Sequence, residues 1–216
     1  MDISRRSFLA SAAAASLLSM EAVHAQEAAP TNPDAALKML IDGNQRFAQN
    51  NLTSIAHDLE LLRQHNVDKQ EPFAAVLSCA DSRVPVELVF DQTIGHIFVA
   101  RVAGNIINAE IIGSLEYGAA VLGVKVLIVM GHSGCGAVKA AIAKTDVPGQ
   151  IASLYPHLEA AVETGSGLVD TIKKNAKIQA SLLEKTSTVL APMVKEGKLK
   201  IHAAYFDVGT GQVTLL

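Results

Sequence analysis

The chain has 216 residues, half of them hydrophobic, with 4% aromatics, no Trp and a formal net charge of −3. That length fits one domain with a sizeable core, and the composition is globular rather than disordered. No run of five or more Lys or Arg occurs, so neither nucleic acid nor a polybasic membrane patch is expected, which leaves a small neutral or anionic metabolite as the partner class.

The first predicted segment is a leader. "SRRSFLA" sets Arg5 and Arg6 ahead of Phe8-Leu9 and a short Ala/Leu run, and "AVHA" ends at Ala25, with small residues Val23 and Ala25 flanking His24. This order reads as a bacterial twin-arginine export signal, cleaved after Ala25. The alternatives are a frayed helix or an uncleaved anchor, but the apolar run is short and Ala-rich for a transmembrane span. Cleavage removes Asp2, Arg5, Arg6 and Glu21 and leaves the charge at −3. The expectation is therefore a periplasmic or otherwise exported protein without stable membrane association. It would be handled by the twin-arginine machinery and folded, around a cofactor if it has one, before export.

Residues 26–32 form a short linker, and the domain runs over 33–216. Asn32-Pro33 opens a helix with an apolar stripe of Leu37, Leu40, Ile41, Phe47 and Ala48. A second helix is predicted over 54–65, with Leu59 and Leu62 inward. Continuous apolar runs at 73–79, 96–101, 124–130 and 199–206 read as parallel strands covered on both faces. Helical patterns lie at 108–122, 134–143 and about 151–195, the last broken at Pro156 and at Gly165-Ser166-Gly167. "GQVTLL" after a Gly-Thr-Gly turn suits a short antiparallel edge strand. The fold class is α/β: a single domain with a mainly parallel central sheet flanked by helices, plus an N-terminal helical arm.

Chemistry concentrates at two strand ends. "CADSRVP" begins at Cys79, and "GHSGCG" carries His132 and Cys135, so both cysteines of the chain lie in these motifs. Ligands bind beyond the carboxyl ends of open parallel sheets. If the chain stays extended past the first strand, Cys79, Asp81 and Arg83 face one crevice. Gly134 and Gly136 permit a tight turn that places Cys135 in the first turn of a helix, where free N–H groups favour a thiolate. Two thiolates and an imidazole suit Zn²⁺, and three ligands leave a fourth, catalytic position. A water there becomes hydroxide near neutral pH. Asp81 can orient that hydroxide, and Arg83 can keep Asp81 ionised.

These paired motifs, C-A-D-S-R followed by H-S-G-C, resemble those of the β-class carbonic anhydrases. The resemblance implies one zinc per chain on Cys79, His132 and Cys135, an Asp81–Arg83 dyad, and reversible hydration of CO₂ to bicarbonate and a proton. "GNQRF" at 43–47 is similar to the family's N-terminal helix signature. Gln70 matches a glutamine that hydrogen-bonds substrate, and Phe98 and Tyr117 resemble the aromatic lining of the CO₂ pocket. In the family part of that lining comes from a neighbouring subunit, so a homodimer or homotetramer is implied. Val102 stands where many members have Asn. The regulatory bicarbonate site that uses a Trp is implied to be absent.

Other readings remain for each residue. Two cysteines in an exported protein also suit a disulfide, which would make this a non-catalytic binding protein, although a disulfide gives Asp81, Arg83 and His132 no task. Asp81 and Arg83 suit a structural ion pair, Phe98 and Tyr117 suit a core, and Gln70 suits a surface. Fold relatives that hydrolyse carbon disulfide or carbonyl sulfide share such a site. The glycines of "GHSGCG" lack the order of a phosphate loop. His57, His65, His96, His157 and His202 show no ligand spacing.

Overall fold

The computed structural model describes residues 29–53, 63 and 67–216. The expected leader over 1–25, residues 26–28 of the linker and nearly all of the helix expected over 54–65 lie outside the described residues. Five strands form one sheet: β1 (Ala74–Ser78), β2 (Ile97–Arg101), β3 (Val126–His132), β4 (Lys200–Phe206) and β5 (Val213–Leu215), in the order β2-β1-β3-β4-β5. The first four are parallel, and β5 pairs antiparallel at the edge. Every residue of β1 and β3 is buried, whereas edge strand β2 is only partly so. The unbroken apolar runs thus mark strands covered on both faces.

Helix α1 (Pro33–Ala48) and the short α2 (Val86–Val89) cover one face. There Ala36, Leu40, Val86 and Phe90 pack on Val76, Ile128 and Phe206. Helices α3 (Ala109–Ala120), α4 (Gly136–Ala143), α5 (Tyr155–Thr164), α6 (Leu168–Thr186) and α7 (Leu190–Lys195) complete the described set. Leu115, Ala176, Leu183 and Leu190 pack on Leu77, Leu127 and Val129 on the opposite face. A third cluster joins Val138, Leu158, Ile172 and Tyr205 to Cys79 and Cys135 at the carboxyl end of the sheet. Among the described residues no helix is long and apolar enough to cross a membrane.

Several boundaries differ from expectation for identifiable reasons. Asn32 caps α1 as its sequence suggests, its Oδ1 accepting from the Ala35 N–H at 2.9 Å. The buried line of α1, however, runs through Ala36, Leu40, Gly43 and Asn44, with Leu37 and Ile41 only partly covered. Gly43 and Asn44 are inside because the helix lies against backbone rather than side chains. A Cβ on Gly43 would sit 1.8 Å from the Phe90 carbonyl oxygen. Asn44 donates to the carbonyls of Val89 and Gly211 and accepts from the Val213 N–H, joining α1 to α2 and β5. The helical region divides at Pro156 as expected: a 3-10 segment ends at Leu154 and α5 begins at Tyr155, with the proline in its first turn, where its missing N–H costs nothing. An unforeseen break at Ser187 starts α7, its Oγ accepting from the amides of Val189 and Leu190. Strand β3 runs two residues past Met130, pairing Gly131 with Tyr205 and His132 with Phe206. A Cβ on Gly131 would meet Ile172 Cγ2 at 2.8 Å, so glycine lets α6 settle over the strand end.

Gly43→Ala separates two opposed effects. Helix propensity alone predicts a gain of about 1 kcal/mol, while the clash with the Phe90 carbonyl predicts a loss of about 1–3 kcal/mol. Urea unfolding should show the loss; a more stable variant would mean that α1 does not rest on that carbonyl.

Candidate metal centre

The β1–β3 register sets Ser78 opposite Met130, so the chain leaves β1 beside the last residues of β3. Cys79 follows β1 directly, and His132 is the final residue of β3. A turn through Ser133 and Gly134 (φ 67°) then delivers Cys135 as the N-cap of α4. The ligand atoms of Cys79, His132 and Cys135, all buried, lie within 4.8 Å of one another. Both cysteines are free, with their sulfurs 4.0 Å apart. His132 Nδ1 lies 3.0 Å from the Ser133 carbonyl, which assigns the proton to Nδ1. That leaves Nε2 as a buried acceptor with no hydrogen-bond partner. A buried, unsatisfied nitrogen costs about 1–3 kcal/mol, and a cation between it and the two sulfurs removes that cost. The donor set and the orphaned Nε2 therefore fit a soft divalent metal.

The two sulfurs are not equivalent. The Cys135 thiol donates to Cys79 and, against the cost of burial, lowers the Cys79 pKa to about 4. The amides of Gly104 and Asp81 add to this, the Gly104 N–H reaching the sulfur at 3.3 Å. Cys135 moves the other way, first because it gives its hydrogen bond to Cys79 and then because it is buried. The two shifts run in opposite directions, so Cys79 is the sulfur favoured as thiolate and Cys135 the one favoured as thiol.

Beside the cluster, the Asp81 carboxylate is gripped at both oxygens. Arg83 Nε reaches Oδ1 at 3.0 Å, Arg83 Nη2 reaches Oδ2 at 2.8 Å, and the Arg83 amide meets Oδ1 at 2.9 Å. The Arg83 side chain holds the Asp81 carboxyl well below the usual carboxylate range. Asp81 Oδ2 also lies 3.8 Å from His132 Nε2. A weaker contact of 3.4 Å from Arg83 to the Gly134 carbonyl bridges the two motifs.

The structure thus gathers Cys79, Asp81, Arg83, His132 and Cys135 into one place, by a route that differs from expectation in two respects. The chain after β1 does not stay extended. It turns, with the Val84 N–H bonded to the Asp81 carbonyl at 3.1 Å, and this turn brings Arg83 back onto Asp81. Cys135 caps α4 instead of lying in its first turn, and only Gly134 of the two flanking glycines needs a left-handed backbone. Gln70 is exposed in the segment before β1. Phe98 of β2 and Tyr117 of α3 face each other with ring centroids 6.4 Å apart, and Tyr117 is 48% exposed. The sequence reading did not single out Arg101 or Gly104. Arg101 donates from Nε to the Cys79 carbonyl at 2.9 Å and from Nη2 to the Asp81 carbonyl at 2.5 Å. An arginine closing the strand that neighbours Cys79's strand was the available signal.

The sequence profile of the carbonic anhydrase family matches residues 74–213. Carbonic anhydrase 2 of Mycobacterium tuberculosis is 33% identical over 198 residues, covering 86% of this chain and 93% of that protein. The carbonic anhydrase of Pseudomonas aeruginosa is 30% identical over 197 residues, covering 83% and 87%. Among solved structures, a β-carbonic anhydrase of Aspergillus fumigatus superposes with a TM-score of 0.66 at 26% identity, covering 85% and 89% of the two chains. The Coccomyxa β-carbonic anhydrase, solved with acetazolamide, gives 0.65 at 25% identity and covers 83% and 86%.

The unequal sulfurs are testable after chelation of any metal. Ultraviolet thiolate absorbance should show one ionised thiol at neutral pH, lost as the solution is acidified through about pH 4. Cys135→Ala removes the largest cause of the depression and should move that midpoint upward. An absorbance that does not change between pH 7 and pH 3 would contradict the shared-proton arrangement.

Proposed function

The chain belongs to the β-class carbonic anhydrases, and we propose that it hydrates carbon dioxide reversibly to bicarbonate and a proton with a zinc ion on Cys79, His132 and Cys135. The observation that carries this reading is the orphaned His132 Nε2, facing two sulfurs and flanked at 3.8 Å by a carboxylate held ionised. Cys79, His132 and Cys135 would hold the ion with three protein ligands, the number found at catalytic zinc sites that also bind water. Zinc supplies a bound water whose pKa falls to about 7.

The protein's own groups do the rest. Asp81, kept as a carboxylate by Arg83, accepts a hydrogen bond from the attacking oxygen at Oδ2 and turns that oxygen's lone pair toward the carbon. Because Arg83 bonds both oxygens of the carboxylate, Asp81 works as an acceptor and does not take up the proton itself near neutral pH. Gln70 orients a substrate oxygen, and Phe98 and Tyr117 supply apolar walls that exclude water. Tyr117 is half-exposed in the single chain, so a second subunit laid over this aromatic pair would close the pocket. The active unit is on this reading a homodimer or homotetramer. The paired arginines Arg5 and Arg6 and the small-residue site at Ala25 support export of the folded enzyme to the periplasm.

Stopped-flow CO₂ hydration tests the assignment. Asp81→Asn should keep zinc in full stoichiometry and lose about 10²-fold or more in kcat, the lower range for a positioned proton acceptor. Cys135→Ser should lose both zinc and activity. Zinc-replete wild-type protein that never accelerates the reaction from neutral to alkaline pH would overturn the function. A Cys79–Cys135 disulfide in protein without metal would favour the binding-protein reading.

A further inference from the structure

Helix α6 carries three polar residues, Thr171, Asn175 and Gln179, that are no more than 1% exposed. Their spacing of four places them in one row along the helix. Around them lie Ile172, Ala176, Ala180 and Leu183, all buried. Polar groups in such a row must be bonded to something. Thr171 bonds back to the Gly167 carbonyl within its own helical turn. Asn175 and Gln179 instead reach the segment that follows β2. Asn175 Nδ2 donates to the Gly104 carbonyl at 2.8 Å. Gln179 Oε1 accepts from the Ile107 N–H at 3.0 Å, while its Nε2 donates to Asn175 Oδ1 at 3.1 Å and to the His157 carbonyl at 2.9 Å. The two amides therefore steady each other as well as the turn.

Gly104 is the joint between this row and the metal centre. Its carbonyl takes the Asn175 bond, and its N–H meets Cys79 Sγ at 3.3 Å. These two groups lie in successive peptide planes that share the Gly104 Cα. Gly104 has φ 77° and Asn105 φ 43°, so two consecutive residues sit in the left-handed region. Glycine pivots easily there, and a Cβ at Gly104 would in addition meet Ala137 and Leu158 at 3.4 Å. With the second peptide plane pinned by a buried amide, the first has little freedom to turn its N–H away from the sulfur.

We propose that Asn175 is a positioning residue of the metal centre. By holding the Gly104 carbonyl, it aims the Gly104 N–H at the Cys79 sulfur and so fixes the orientation and donor strength of that ligand. The inference rests on the metal reading above. Groups that bond to a metal's ligands shift its affinity by about 10–100-fold when removed, and Asn175 acts one step further out, through a backbone amide. The competing account is that Asn175 merely satisfies a buried carbonyl. In that case its loss lowers stability and leaves the metal unchanged.

Three variants of the full chain distinguish these accounts: Asn175→Ala, Asn175→Ser and, as a control, Leu183→Ala. Asn175→Ser removes the amide that reaches Gly104 but leaves a small polar group that can bond back to its own helix, as Thr171 does, and it carries the test if Asn175→Ala does not fold. Leu183 is fully buried two turns along the same helix, so its truncation destabilises without touching Gly104. The readouts are zinc affinity by chelator competition and the sulfur-to-metal charge-transfer band of the cobalt(II) form. Either Asn175 variant should bind zinc about 10-fold more weakly and show a displaced cobalt–sulfur band. Leu183→Ala should lower Tm with both readouts at wild-type values. Asn175 variants that lower Tm but keep wild-type zinc affinity and band position would overturn the proposal alone. Wild-type protein that takes up neither zinc nor cobalt would overturn the metal reading along with it.

Discussion

The parallel pairing of β1 with β3 is the constraint on which the site depends. Because Ser78 lies opposite Met130, the residue after β1 and the last residue of β3 meet at one edge of the sheet. There the chain leaves β1 toward β2 on one side and leaves β3 toward β4 on the other, so a crevice opens between diverging connections. A slip of one residue in this register would exchange the faces of every side chain on one strand. Cys79 would leave the third cluster and His132 Nε2 would lose one of its two sulfurs. The buried faces of β1 and β3 fix the register, so the core and the ligand geometry are held by the same contacts.

Around that edge the protein spends its backbone amides and guanidinium groups on fixing atoms. Arg101 binds the carbonyls on either side of Ala80, which sets the path of the chain between Cys79 and Asp81. Gly104 donates to the Cys79 sulfur, and Ser133 gives its carbonyl to His132 Nδ1. The His132 interaction leaves Nε2 as the nitrogen that can bind metal. Each ligand is oriented through a main-chain group, and main-chain groups are themselves locked in the sheet or in tight turns. Such sites are preorganised, and little rearrangement is needed when a metal enters.

How much of this was legible in the sequence depended on whether a contact is local. The strands announced themselves because full burial leaves an unbroken apolar run, as in "VLIVM" of β3. The chemistry was legible because both ligand motifs are short and end in turns. Gly43 and Asn44 were read only as part of a signature, since their partners, Phe90, Val89, Gly211 and Val213, lie 45 to 169 positions away. Asn175 and Gln179 looked like ordinary polar positions of a long helix. Nothing near them in sequence shows that their amides end on a turn seventy residues earlier.

The same contrast between local and distant support separates the two kinds of group at the site. Cys79, His132 and Cys135 are buried and held by backbone, so moving them means disturbing the sheet. The Asp81 carboxylate is held by one residue, through an amide and a side chain that is half in water: the Arg83 side chain is 52% exposed against 18% for Asp81. Exposed ion pairs contribute little net stability and are screened by salt. The ligand set is accordingly the rigid part of the centre and the Asp81 carboxylate the part most easily displaced. A perturbation that reaches the surface, such as ionic strength or an anion competing for Arg83, acts on the acceptor before it acts on the metal ligands. Rate can then respond to conditions that leave metal affinity unchanged, because the two properties are held by different contacts.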